Sequence, residues 1–411
     1  MAPPVPHLPD EIREEIFLRL PTPAALARAA TAHPSFRHII TMRSFLRRFR
    51  KLHPPPLLGF ADSRGFHPSE APHPSAPLAR ALAAAADFTY SFVPAPNREY
   101  WIPRDIRDGR VLLEDRRRCP GISKNLAVCD PLSRRYVLLP SIPENLKSKH
   151  PFLLQIEPIL AALGEDEDET SFKVICFANY TSKLVAFVFS PVTKKWCLVA
   201  SASWSSLGTD CSIGWHNHSY LGFSDVSYFN CIRGCFYSAS PWEDKLLMLD
   251  TRTIAFPTKD YLNDPNLFPP NHLSLRCLPG QERSLYTNVV GRDGALERFY
   301  LVRGHSPNGS FDLYHKSQKN NGKSSKEWQL ENIISLPEQY DYSIVGAAEG
   351  FLFLGVTAKD NEVWDWKVDY FSLEIQTSEL KKICRMMKSY SLGELACSYF
   401  GFPLSLSKPS I

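Results

Sequence analysis

The N-terminal fifty residues carry short apolar stripes at helical spacing. Ile12, Ile16 and Leu20 fall at i, i+4 and i+8, a spacing that predicts a helix with one apolar face. Thr22-Pro23 supplies a capping hydroxyl and a proline for the first turn of a second helix. Apolar residues recurring from Phe36 to Phe49 predict a third helix. The pattern therefore predicts a three-helix domain over residues 1–53.

A domain this small buries little apolar surface of its own and is marginally stable without help. Two interpretations follow from the pattern alone. The helices form an ordinary subdomain that packs on the rest of the chain, or their apolar stripe docks on another protein.

The same segment resembles the F-box in residue order and spacing. The resemblance is carried by Leu8-Pro9-Asp10-Glu11, the run Glu15–Pro21, the step Leu26-Ala27-Arg28, and Phe36-Arg37, where the motif usually has Trp-Arg. It implies docking on the Skp adaptor of a Skp–cullin–F-box ubiquitin ligase, and through that adaptor on a cullin. The adaptor contacts that the resemblance implies are Leu8, Pro9, Ile12, Ile16, Leu20, Leu26 and Phe36.

Residues 54–100 are predicted to form a linker. Seventeen of the 34 prolines lie in the first 103 residues, and Pro54-Pro55-Pro56 follows the helical segment directly. Proline triplets are stiff and extended. The composition favours a rigid Pro/Ala-rich spacer, with one short helix over 76–86.

From Trp101 onward the pattern changes to short β-branched and aromatic runs separated by turn residues. Asp130–Tyr136, Ser190–Trp196 and Asp250–Phe256 recur at 60-residue intervals, each after an apolar run. Each copy predicts a hairpin whose second strand begins with an aromatic residue. Glycines that precede apolar strands keep the same phase, at Gly109, Gly234, Gly294 and Gly350.

Such repeated multi-strand units predict a β-propeller of five to seven blades over 101–411, with a β-sandwich as the alternative. The fold class is therefore α+β and multidomain, with a three-helix F-box before an all-β propeller. Segments 101–113 and 129–136 also resemble the associated domain of plant F-box proteins, especially those of grasses.

Composition places the chain among folded proteins of a reducing compartment. Hydrophobic residues make up 44% of the 411 residues, and ten cysteines are scattered singly. Apolar runs stay well short of the 18 residues of a membrane-spanning helix, and Met1–Pro6 lacks the features of a secretion signal. We expect a cytoplasmic or nuclear protein that has no contact with membrane.

The catalytic and metal-binding patterns in the sequence are weak. Cys211, His216, His218, Cys231 and Cys235 have loose zinc-ligand spacing, but Cys235 lies on a predicted strand, where cysteine is a small apolar filler. The acidic run over 165–169 lacks the spaced ligands and the glycine of a calcium loop. We expect no metal, no cofactor and no enzymatic activity. Six tryptophans near blade edges suit either packing or protein binding, namely Trp204, Trp215, Trp242, Trp328, Trp364 and Trp366.

Charge is uneven along the chain. The formal net charge is +4, and residues 1–53 alone hold nine Lys or Arg against four Asp or Glu. The excess lies late in the third predicted helix, at Arg43, Arg47, Arg48, Arg50 and Lys51. A solvated helix face, a nuclear import signal and nucleic-acid contact are all compatible with this cluster.

These features favour a substrate-recruiting adaptor whose F-box docks on the Skp adaptor and whose β domain binds a target protein of unknown identity. Two alternatives belong to other classes. One is a carbohydrate-binding or enzymatic propeller, which carboxylates converging on the central channel favour. The other is a nucleic-acid binder that uses the basic third helix, and this is the less favoured.

Overall fold

The structure is a computed structural model that describes nineteen stretches of the chain. They are residues 8–53, 55–94, 101–115, 125–143, 146, 153–161, 172–180, 182–203, 206, 230–232, 235–239, 246–250, 286–290, 296–303, 311–318, 329–348, 351–358, 367–387 and 396–401. The helices within them are α1 (Asp10–Leu18), α2 (Pro23–Ala32), α3 (Pro34–Ile40), α4 (Arg43–Leu52) and α5 (Ala76–Ala85). None of these helices is long and apolar enough to cross a membrane.

The first four helices pack into a bundle with its own core. The Thr22 hydroxyl caps α2 by accepting a hydrogen bond from the Ala25 N–H at 3.1 Å. Side chains from all four helices form the buried core, with Leu26, Ile40 and Phe49 fully buried at its centre. The bundle therefore buries a compact apolar centre in fewer than fifty residues.

The prediction of three helices is wrong, because the described bundle has four. The helix predicted over 36–49 is divided between α3 and α4, at Thr41 and Met42. Thr41 closes α3: its N–H and its hydroxyl both donate to the Arg37 carbonyl, at 2.9 and 2.8 Å. Helix α3 is therefore only seven residues long. After the turn that follows it, Phe45 and Phe49 on α4 reach the same core.

The described strands form six antiparallel sheets. In order across the sheet, sheet 1 consists of β2 (Gly65–Pro68), β1 (Leu57–Asp62) and β22 (Cys397–Phe400), and sheet 2 of β3 (Trp101–Arg107), β4 (Arg110–Asp115), β5 (Leu126–Asp130) and β6 (Arg135–Leu139). Sheet 3 consists of β7 (Leu153–Ala161), β8 (Lys173–Tyr180), β9 (Lys183–Ser190) and β10 (Lys195–Ser203), and sheet 4 of β11 (Asn230–Ile232), β12 (Cys235–Ala239) and β13 (Leu246–Asp250). Sheet 5 consists of β14 (Tyr286–Val290), β15 (Leu296–Arg303), β16 (Phe311–Gln318) and β17 (Gln329–Leu336), and sheet 6 of β18 (Tyr340–Ala348), β19 (Phe351–Ala358), β20 (Lys367–Glu374) and β21 (Glu379–Met387).

Contacts between sheets confirm the predicted β-propeller. Strand β22 lies beside β3, β3 beside β7, β11 beside β14, and β14 beside β18. Each of these strands lies at an edge of its sheet, so neighbouring sheets meet through their edge strands, as the innermost strands of propeller blades do. Strand β2 also contacts β21, which brings the last blade beside the first. Six blades lie within the predicted five to seven, and the alternative of a two-sheet sandwich is wrong.

The prediction that residues 54–100 form a linker is wrong for most of that segment. Strand β1 pairs antiparallel with β22, from Leu57 with Phe400 to Ala61 with Cys397, so this segment closes the ring. Leu58 of β1 and Leu82 of α5 lie in the buried core that sheet 1 shares with sheet 2. The reason is apolar burial: all six residues of β1 are buried, despite the prolines on either side. The propeller therefore begins at Leu57 rather than at Trp101.

The 60-residue repeat corresponds to the hairpin between the two outer strands of a blade. The predicted hairpins after Asp130 and Ser190 are present as β5–β6 and β9–β10. In both turns the residue before the outer strand has a positive φ, 54° at Arg134 and 54° at Lys194, and Ser378 repeats this at 56° in sheet 6. Gly109, with φ +78°, precedes β4 as expected. The third turn, the other three glycines and the six tryptophans named above lie outside the described residues.

Candidate functional site

Helix α1 has apolar side chains on two opposite faces. Phe17 and Leu18 point into the bundle core, where both are buried. Leu8 lies two residues before the helix begins, whereas Ile12 and Ile16, at 100° per residue, project from its other side. They are 38%, 47% and 47% exposed. We call these three residues the outward stripe.

Ion pairs hold α1 in place against α4. The Arg48 guanidinium lies 2.7 Å from a Glu14 carboxylate oxygen and 2.5 Å from one of Glu15. The His53 ring lies 2.9 Å from the Leu18 carbonyl, at the other end of the helix. These contacts attach one side and the C-terminus of α1 to the rest of the bundle. The helix that bears Ile12 and Ile16 of the outward stripe therefore has a fixed orientation.

The residues that the F-box resemblance implies as adaptor contacts divide into two groups. Leu8, Pro9, Ile12 and Ile16 lie exposed on or beside α1, whereas Leu20, Leu26 and Phe36 face the bundle core. Leu26 is fully buried, and the ring of Phe36 packs edge-on against Phe17 with centroids 5.1 Å apart. The structure therefore brings the first four together at the surface and assigns the last three a supporting position.

Leu20 departs from the predicted stripe. Helix α1 ends at Leu18, and the Leu20 N–H donates to the Phe17 carbonyl at 3.2 Å in the turn that follows. This turn brings Leu20 half-buried against the bundle core instead of continuing the line from Ile12 to Ile16. Met42, which the sequence did not single out, is 39% exposed in the turn between α3 and α4. No signal in the sequence pointed to Met42, because the apolar pattern predicted one continuous helix there.

The basic cluster late in the bundle is partly neutralised. Arg48 pairs with Glu14 and Glu15, and Arg50 is half-buried. The side chains of Arg43, Arg47 and Lys51 lie outside the described residues. The described part of the cluster thus stabilises the bundle rather than forming a continuous basic strip.

A second cluster of charged side chains, here called the Arg104 cluster, lies where sheets 2 and 3 meet and comprises Arg104, Glu114 and Glu157. Arg104 of β3 donates through Nε to Glu114 of β4, whose side chain is buried. Burial disfavours the charged form of Arg104, but Glu114 and Glu157 of β7 outweigh that effect and raise the pKa of Arg104. Glu157 lies on β7, the strand of sheet 3 beside β3, so carboxylates from both sheets stabilise the charge of one guanidinium.

Asp105, the next residue on β3, ties the same two sheets together. Its carboxylate accepts hydrogen bonds from the Leu160 N–H at 2.7 Å and the Ile106 N–H at 2.8 Å. Burial nevertheless raises the pKa of Asp105, because the charged form loses its hydration. Asp105 thus holds adjacent innermost strands in register beside the Arg104 cluster.

Within the described residues, no group of three His, Cys, Asp or Glu side chains is placed to hold a metal ion. Of the loose zinc candidates, Cys211, His216 and His218 lie outside the described residues. Cys231 and Cys235 lie on the paired strands β11 and β12.

Comparison with known proteins concerns the propeller. No protein-family model matches the chain, and no curated protein matches it. Among solved structures, it is similar to the α-L-arabinofuranosidase Arb93A from Fusarium graminearum, at 13% identity over 68% of this chain and 79% of that one, with a TM-score of 0.36. It is also similar to an endo-arabinase from Bacteroides thetaiotaomicron (10% identity, 73% and 96% covered, TM-score 0.32) and an α-L-arabinanase from Penicillium chrysogenum (8%, 69% and 92%, TM-score 0.33).

These comparisons correct one expectation from the sequence. The chain was expected not to be an enzyme, yet the solved structures with which it shares a likeness of fold include glycoside hydrolases. The exclusion of enzymatic activity is therefore wrong. A fold hosts many unrelated functions, so the likeness itself assigns no substrate to this chain.

Proposed function

We propose that this chain is a substrate-recruiting subunit of a Skp–cullin–F-box ubiquitin ligase. The outward stripe of α1 docks on the Skp adaptor, and the propeller carries a target protein. One observation carries the proposal: Ile12 and Ile16 are exposed together on a helix whose opposite face is packed into a core, and Leu8 is exposed just before that helix. Ile12 and Ile16 are each 47% exposed, so much of their apolar surface is left uncovered by the bundle, and such a stripe opposite the buried face of a helix is typical of a docking surface.

The energetics favour docking that combines the stripe with its surroundings. Fully burying a large aliphatic side chain is worth about 1.5–3 kcal/mol. Each stripe residue is already about half-buried, so covering all three contributes roughly 2–4 kcal/mol. Association costs about 4–15 kcal/mol, so polar contacts around the stripe are needed as well.

The connection between bundle and propeller suits a recruiting subunit. Helix α4 ends at Leu52 and β1 begins at Leu57, so few residues separate the two modules. A short tether keeps a bound target close to the ligase core. Transfer of ubiquitin to that target then becomes nearly intramolecular, with an effective concentration set by the tether.

The test is co-purification of the full chain with a plant Skp adaptor. Ile16→Asp abolishes binding, because docking then buries an unpaired carboxylate. The matched control is Ile333→Asp, since Ile333 on β17 is 45% exposed and lies far along the chain in sheet 5. Leu20→Asp is avoided, because Leu20 packs on the bundle core and its loss perturbs folding. Wild-type binding by Ile16→Asp refutes the proposal.

A second candidate function, a carbohydrate-binding or hydrolytic propeller, is favoured by the Arg104 cluster. Glu114 pairs with Arg104, and Glu157 on the neighbouring strand β7 acts electrostatically on the same guanidinium. Glycoside hydrolysis commonly employs a pair of carboxylates. A glycan array probed with wild type and with Glu157→Gln tests this candidate: binding that the substitution removes supports it, and an array without binding counts against it.

A further inference from the structure

Three hairpin turns in the described propeller have the same form. They span residues 131–134, 191–194 and 375–378, and each joins the two outer strands of its sheet. In all three, the residue before the turn pairs with the residue after it. The last residue of each turn has a positive φ, at 54°, 54° and 56°. Each position in one turn therefore has an equivalent in the other two.

The residue before the turn is acidic in sheets 2 and 6. Asp130 accepts hydrogen bonds through Oδ1 from the N–H groups of Leu132 and Ser133, at 3.0 and 3.1 Å. The longer side chain of Glu374 accepts a hydrogen bond from the Thr377 hydroxyl at 2.9 Å. Hydrogen bonds to a charged oxygen are stronger than those to a neutral one. A carboxylate thus stabilises the turn in both sheets.

Ser190 occupies the equivalent position in sheet 3. Its neighbours in the turn are accessible, because Val192 is 83% exposed and Thr193 is also exposed. Thr193 stands where sheet 6 has Thr377. Asp250, at the same place in the 60-residue repeat, is again acidic. Sheet 3 therefore has a neutral hydroxyl where its equivalents have a charged oxygen.

We propose that Ser190 is a phosphorylation site, modified by an ATP-dependent Ser/Thr protein kinase that recognises proline directly after the acceptor serine. Pro191 supplies that proline. In the transfer, the Ser190 Oγ forms a bond to the γ-phosphorus of ATP, and the bond from that phosphorus to the β–γ bridging oxygen breaks. ADP leaves, and the hydroxyl proton passes to a base of the kinase. The inference concerns the propeller and does not depend on adaptor docking.

A phosphate on Ser190 supplies the charged oxygens that the serine lacks. Its oxygens lie as many bonds from Cβ as the carboxylate oxygens of Glu374 do, so the Thr193 hydroxyl and the turn amides are within reach. A phosphate also carries about −1.5 to −2 charges at pH 7, which offset the exposed Lys194 and Lys195. Phosphorylation therefore stabilises the turn and removes the positive charge from the end of the hairpin.

The first test incubates the full chain with ATP and a purified proline-directed kinase, either cyclin-dependent or mitogen-activated, and maps phosphate by mass spectrometry. We expect phosphate on Ser190, and its loss in both Ser190→Ala and Pro191→Ala. The matched control Thr193→Ala removes the neighbouring hydroxyl of the same turn and leaves phosphorylation of Ser190 intact. Phosphate on Thr193 instead, or no phosphate on residues 183–203 with either kinase, overturns the inference.

The second test needs no kinase, because phosphoserine is incorporated at position 190 during synthesis of the full chain. Hydrogen–deuterium exchange is followed by mass spectrometry. We expect the amides of 192–194 to exchange at least about tenfold more slowly than in the unmodified chain, since charge-assisted hydrogen bonds then oppose opening of the turn. Ser190→Asp also slows this exchange, whereas the turn at 375–378 is unchanged. Unchanged exchange at 192–194, or equal slowing in both turns, overturns the inference.

Discussion

Truncating two residues of the outward stripe separates docking from folding. Ile12 and Ile16 are each 47% exposed, so about half of the value of burying each side chain remains available to a partner. At roughly 1.5–3 kcal/mol for full burial, that half is about 0.7–1.5 kcal/mol per residue. Ile12→Ala with Ile16→Ala therefore weakens adaptor binding by about 1.5–3 kcal/mol, or roughly 10- to 100-fold in Kd.

The same double substitution leaves the bundle nearly as stable as before, because exposed positions contribute little to folding. Isothermal titration calorimetry of the full chain against the Skp adaptor measures Kd, and urea unfolding measures stability. Ile333→Ala, at an equally exposed isoleucine of the propeller, is the binding control. Leu26→Ala is the folding control: Leu26 is fully buried, so its truncation costs about 2–5 kcal/mol of stability. An unchanged Kd for the double variant refutes the assignment of the stripe as the docking site.

Three further outcomes test the fold and its electrostatics. A protein truncated to residues 55–411 unfolds cooperatively on heating. One truncated to residues 101–411 lacks two strands of sheet 1 and does not unfold cooperatively. Equal cooperativity of the two proteins in calorimetry contradicts the pairing of β1 with β22 that closes the ring. Burial alone raises the pKa of Asp62, but the hydrogen bond from His67 at 3.0 Å and that from a backbone N–H outweigh it and lower the pKa. The stability from Asp62 is thus present at neutral pH and lost as pH falls through the lowered pKa, so Asp62→Asn flattens the loss of stability between about pH 5 and 2 in urea titrations. Arg104→Ala leaves its buried glutamate partner uncompensated and costs about 3–5 kcal/mol in the same assay, while a cost below about 1 kcal/mol contradicts that pairing.

Local patterns in the sequence predicted the repeating unit of the propeller well. The hairpin after Asp130 and the one after Ser190 share a four-residue turn with a positive φ at its end, so short-range chemistry repeats where the blade repeats. Alternating apolar runs beside those turns were enough to predict strands. The sequence therefore revealed the blades that are built from neighbouring segments.

Closure of the ring depended on a long-range pairing that local pattern does not report. Leu57–Asp62 lies among prolines, and its partner Cys397–Phe400 is more than three hundred residues away. The aromatic ring of Phe60 packs on Phe353 and Tyr370 of sheet 6, with centroids 5.8 and 4.9 Å apart. The proline-rich composition predicted a linker at this segment. Burial of its apolar side chains in the folded protein made it a strand instead.

The docking residues were predicted only in part for a similar reason. Helical spacing identified Ile12 and Ile16 on one face, and both are exposed on that face. The same spacing placed Leu20 with them, but α1 ends two residues earlier and Leu20 turns to the core. Spacing describes a face only while the helix continues, and Leu20 lies beyond the end of α1.

Methyl NMR of isoleucine-labelled protein titrated with the Skp adaptor tests the central claim most directly. The account predicts that the δ1-methyl signals of Ile12 and Ile16 shift or broaden on binding, while that of Ile333 stays unchanged. Binding that leaves the Ile12 and Ile16 signals in place and perturbs only isoleucines of the propeller contradicts it.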